Sequence, residues 1–166
     1  MGKTKIVYEE SIISKEDVEK INFDEQLVDF EGRKINLDQP QMSLIATATV
    51  LAIIIDISKG VIEDLLADKI EKLWNARNKN VILKKVDASG KIQNLKPIFK
   101  LIDNQQGTEI TVIVNGDLSH TQIINIHKVL SHLKKDRYIF ILSEDGTMKI
   151  YTQLAYAQSK HDLQNS

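Results

Sequence analysis

The chain has 166 residues, a formal net charge of −1, 27% charged residues and a 42% apolar fraction. That composition supports one domain with its own core and is too apolar for a disordered chain. The near-neutral balance gives no overall polyanion-binding signature. The absence of cysteine excludes disulfides, thiolate metal sites and cysteine nucleophiles.

The polar, acidic start of the chain has no leader-like apolar run, and Ile6 stands where a myristoylation motif needs Ser or Thr. A cytoplasmic protein is expected. Residues 5–8 (KIVY) read as a short strand, and Ser14-Lys-Glu-Asp17 has the spacing of a helix cap before a short helix at 15–21. Residues 26–30 and 33–37 flank Glu31-Gly32 and predict a hairpin. Residues 1–40 are thus expected to form a polar N-terminal segment carrying this hairpin.

Residues 42–55 (MSLIATATVLAIII) carry no charge, and residues 56–74 continue with apolar positions at three- and four-residue steps. Together they predict one long central helix over 41–77, apolar all round in its first half and one-sided in its second. A membrane span would need a longer apolar run. Small residues in the first half would let a second helix approach closely. The run is read either as a buried core helix or as an interface, and in the second case the strip is assigned to Leu44, Ala48, Leu51, Ala52 and Ile55.

Beyond the helix, residues 81–86 (VILKKV) read as a strand and residues 87–90 as a turn. Asn94 and Pro97 suit the start of a helix whose face is Leu95, Ile98, Phe99 and Ile102. Residues 109–114 (EITVIV) make a strong strand. Ser119 caps a helix reaching Lys134, with Ile123, Ile126, Leu130 and Leu133 inward. Residues 138–142 (YIFIL), the Glu144-Asp145-Gly146 turn and residues 148–154 form a final hairpin. Residues 158–166 are expected to fray. The fold class is therefore α/β, with α+β as the alternative. The expectation is a small mixed sheet in β-α-β-α-β-β order after the long helix, in one domain over 41–157.

Sequence alone identifies no reaction. Gly-rich phosphate loops, Gly-x-Ser-x-Gly and His-Glu-x-x-His are absent. His120, His127 and His132 share one helix at spacings of seven and five, not the three- or four-residue step that chelates. No metal and no cofactor are expected. Asp117 follows the strongest strand and Asp87 the preceding one, where ligands bind in open sheets. With His120 they are the candidate catalytic set for a small hydrolase or nuclease, although turns and caps require the same residue types. The leading expectation is a non-enzymatic interaction or assembly module, an accessory or regulatory protein that meets a protein partner or a second copy as a homodimer. A membrane-peripheral protein is the third reading; membrane contact and nucleic acid are not favoured.

Overall fold

The computed structural model describes residues 4–21, 28–34, 49–58, 64–80, 83–86, 89–114 and 116–164. Among them the fold is mixed α/β, with four helices and an eight-stranded mixed sheet. In chain order the elements are β1 (Thr4–Glu9), α1 (Lys15–Ile21), β2 (Val28–Arg33), β3 (Thr49–Asp56), α2 (Asp64–Asn75) and β4 (Leu83–Val86). Then come β5 (Ile92–Asp103), β6 (Thr108–Val114), α3 (His120–His132), β7 (Arg137–Leu142), β8 (Met148–Thr152) and α4 (Gln153–Gln164). The sheet order is β2-β1-β3-β5-β6-β7-β8, and β4 pairs with β5 beside this path.

The main correction concerns the apolar run. The expected helix over 41–77 is instead strand β3 followed, after a break, by the shorter helix α2. β3 lies in the middle of the sheet, antiparallel to β1 and parallel to β5. Val50, Ile53, Ile54 and Ile55 are β-branched, and their stiff side chains suit the pleat. A central strand can be apolar along its length, as a buried helix is; here Val50, Ala52, Ile53 and Ile55 are buried and Leu51 and Ile54 half-buried. Asp56 ends it. Its carboxylate accepts from the Ser58 backbone N–H at 2.9 Å, an Asx turn that a continuing helix could not hold. Ala52 and Ile55 are in the core and Leu51 is half-buried. Leu44 and Ala48 lie outside the described residues. The helical interface strip built from these five residues therefore has no helix to sit on.

Three further elements differ from expectation. Residues 94–102 are not a helix but most of β5. Pro97 fits there because β4 pairs with residues 92–95 and β6 with residues 99–103. Pro97 is in register with Val50 of β3, but it falls between the stretches of β5 that pair with β4 and with β6, so neither of those two ladders needs its N–H. Glu31-Gly32 is not a turn. Gly32 lies inside β2 opposite Tyr8, in a parallel pair with β1. A Cβ on Gly32 would meet the ends of the Glu10 and Tyr8 side chains, which would have to move aside. The second expected strand, residues 33–37, lies largely outside the described residues. Finally, the tail expected to fray is helical through Gln164.

β1, α1, β4, β6, α3, β7 and β8 lie within a few residues of where the sequence places them, but with residues 94–102 in β5 the expected β-α-β-α-β-β order becomes β-β-β-α-β-β-α from β4 onward. Helices α1, α2 and α3 share one face of the sheet. Val18, Ile70, Leu73, Trp74, Ile126 and Leu130 join Ile6, Ile53, Phe99, Leu101, Val112 and Phe140 in a single core. Ile113 and Ile141 alternate with those strand residues and are half-buried. On this second face Lys5 pairs with Glu31 at 3.2 Å, and Glu109 bridges Lys100 and Arg137. Tyr151 stands opposite Ile139 and meets Tyr156 at 5.9 Å between ring centroids, which seats α4 over the β7–β8 end of that face.

His127, on α3, is half-buried, and loss of hydration pushes its pKa below the usual histidine value against a weaker upward pull from Asp103. A base with a depressed folded-state pKa binds more protons when unfolded, so stability falls as pH drops through the unfolded value. Denaturant midpoints should therefore decline between about pH 7 and pH 5.5, and His127→Gln should flatten that part of the profile.

Candidate functional site

Two parallel units frame one edge of the sheet. β1 is antiparallel to β3, β3 parallel to β5, and β5 antiparallel to β6, so β1 and β6 run the same way. β1 crosses through α1 to β2 on its outer side, whereas β6 crosses through α3 to β7 in the opposite direction. Their carboxyl ends thus open on the kind of edge where α/β sheets receive ligands. The end of α2 plugs it. Asn78 donates its backbone N–H to Ile12 O at 2.8 Å. Asn75 exchanges two bonds with the Leu118 backbone, both 3.1 Å, and Trp74 Nε1 donates to Gly116 O at 3.1 Å.

Asp117 sits at this plug. It accepts from Arg77 Nη1 at 3.1 Å and from Lys79 Nζ at 3.0 Å. Arg77 also donates to Gly116 O and to Trp74 O, and stacks 4.5 Å from the centroid of the Trp74 ring. The hydrogen bond from Lys79 leads the causes that hold the Asp117 carboxyl below its ordinary pKa; the Arg77 bond adds to it and burial opposes both. Asp117 thus holds Arg77 and Lys79 as an ionised carboxylate. A shallow cleft of about 580 Å³ lies beside it, walled by Glu10, Ser14 and Asp17 on one side and by Asn75, Arg77 and Lys79 on the other.

Asp117→Asn should cost roughly 0.5–1 kcal/mol at neutral pH, the scale of exposed ion pairs, because the carboxylate is half in water. The folded-state pKa is depressed, so this contribution is present above the unfolded value and is lost as pH falls through the folded one. Wild-type and Asn chains should converge in stability as pH falls below the ordinary carboxylate range, as read by denaturant midpoints.

Two of the three expected catalytic residues, Asp117 and His120, lie among the described residues. Asp87 lies outside the described residues. His120, the first residue of α3, has a ring nitrogen near carboxylate oxygens of Asp68 and Glu71 on α2. Asp117 turns instead to residues beyond the end of α2. Sequence reading missed Arg77 and Trp74, whose three-residue spacing stacks guanidinium on indole only because the helix ends there.

The second feature is an arm. β4 and the first residues of β5 form an antiparallel ladder, Leu83↔Leu95 to Val86↔Ile92. Val86 and Ile92 face one another in register and are 62% and 61% exposed. Gly90, at φ +83°, shapes the turn next to them. Seven basic residues and one acidic residue fall between positions 77 and 100, whereas positions 1–31 hold nine acidic and four basic residues.

The chain matches no family model, no curated protein and no solved structure. Among the described residues no helix is long and apolar enough to cross a membrane.

Proposed function

We propose that the protein is a non-enzymatic assembly module that pairs with a second copy through the β4–β5 arm. The observation that carries this reading is the Val86–Ile92 pair, two large apolar side chains held together in solvent at the end of a basic hairpin. Exposed apolar groups on such an element favour a contact, at roughly 25 cal/mol per Å² removed from water.

Charge selects the occupant. The acidic counterpart on the chain itself is the N-terminal edge, where Glu16, Glu19, Asp29 and Glu31 are exposed and β2 is the outermost strand. β2 lies three strands from β5, roughly 14 Å at ordinary strand spacing. Arm and acidic edge therefore share one half of the sheet, and each copy can seat its arm on the other in a two-fold pair. The interface differs from the one the sequence suggested, but the class of function is the same.

Sedimentation velocity over a concentration series tests this. Expected is a monomer–dimer equilibrium that weakens as NaCl rises, since salt screens the charge complement. A monomer at every concentration in low salt contradicts the proposal.

The hydrolase reading draws less support. Asp117 is committed to Arg77 and Lys79, and His120 meets Asp68 and Glu71 instead.

A further inference from the structure

The α2–α3 contact brings three possible metal donors together. Asp68 and Glu71 stand one turn apart on α2, and His120 opens α3. One ligand atom from each lies within 4.8 Å of the other two. The set is mixed: an imidazole nitrogen and two carboxylate oxygens, drawn from two helices. A Zn²⁺ ion takes nitrogen at about 2.0–2.1 Å and carboxylate oxygen at about 2.0–2.2 Å in a tetrahedron. Ligand atoms around it stand roughly 3.4 Å apart, so a modest rotation of three side chains closes the set.

The frame that carries these donors is fixed. The reciprocal Asn75–Leu118 bonds lock the end of α2 to the start of α3. Ser119 Oγ accepts from the Gln122 N–H, and Gln122 Oε1 accepts from the Ser119 N–H, a capping box that sets where α3 begins and so where His120 emerges. Lys72 lies 3.3 Å from Asp68 Oδ2, one of the two oxygens of that carboxylate.

We propose that Asp68, Glu71 and His120 bind a divalent transition-metal ion, with Zn²⁺ the best match, which cross-links α2 to α3. The imidazole sets the class: Mg²⁺ and Ca²⁺ prefer oxygen alone, whereas a nitrogen with two carboxylates suits zinc. Three protein ligands leave one coordination position for water. The spacing of the histidines along α3 hides this site from the sequence, because its other two ligands come from a different helix.

Titration calorimetry of the full chain with Zn²⁺ in a non-coordinating buffer tests it. Expected is one ion per chain and a thermal midpoint raised by the metal, with Mg²⁺ inert. His120→Ala and Glu71→Gln should each weaken binding at least tenfold while leaving the metal-free circular dichroism unchanged. Co²⁺ should give the visible absorption of a tetrahedral nitrogen–oxygen site, lost in either variant. If one variant fails to fold, the other and the Co²⁺ spectrum of the wild type still decide. Absence of Zn²⁺ binding, or binding that both folded variants retain in full, overturns the proposal.

Discussion

Ala52→Lys should abolish folding. Ala52 is 1% exposed in β3, between β1 and β5, at the point where the β3–β5 register shifts. A lysine there must push a long side chain into close-packed surroundings and bury an ammonium among isoleucines. An unpaired buried charge costs several kcal/mol even after relaxation, and overpacking adds about 1–3. Domain stability is about 5–15 kcal/mol, so the sum removes most or all of it. Circular dichroism should show loss of the cooperative thermal transition. A folded, monomeric Ala52→Lys chain with a near-normal midpoint would place this residue at a surface and overturn the topology. The substitution separates a central strand from an interface helix, because an interface position would tolerate the charge and only lose association.

Trp74→Ala should cost about 3–5 kcal/mol, the range for buried aromatic truncations. Trp74 is buried and meets Phe99 edge-on, with ring centroids 5.4 Å apart and planes at 60°. Its indole N–H reaches Gly116 O and its face carries Arg77, so one side chain joins the core to the sheet-edge plug. Gly116 O keeps a partner in Arg77 Nη2 at 2.8 Å, so the loss is chiefly of packing and not of an orphaned carbonyl. At about 2–4 °C per kcal/mol for a domain of this size, the melting midpoint should fall by roughly 6–20 °C. Trp74→Phe should recover most of the deficit. If Trp74→Phe is as damaging as Trp74→Ala, the hydrogen bond and not the ring volume dominates.

What the sequence disclosed follows from which signals were local. α3 was legible because Ser119 and Gln122 cap it and its apolar residues recur on one face. β6 and β7 were legible because short β-branched and aromatic runs end in turn residues. β3 was not, because its apolar residues show no alternation, and an apolar run beside a one-sided helix reads as more helix. Asn94 and Pro97 carried helix-start chemistry, yet the position of Pro97 between two partner strands made extended structure affordable. Asp117 follows β6 as the sequence places it, but only its contact with Arg77 and Lys79 reveals it as a clamp. The Asp68–Glu71–His120 convergence and the pairing of Val86 with Ile92 are tertiary facts. The lysines around Val86 were visible from the start, but only the ladder to Ile92 makes them an arm.

The assembly reading stands or falls on that arm. The most direct measurement is sedimentation velocity of the wild type beside a Val86→Glu/Ile92→Glu chain, with circular dichroism on both. Both positions are mostly in water, so the double substitution should leave the fold and its melting transition intact while adding two charges that oppose the acidic edge of a second copy. The account predicts a wild type that dimerises as its concentration rises and a folded variant that stays monomeric. A variant that associates as strongly as the wild type would contradict it.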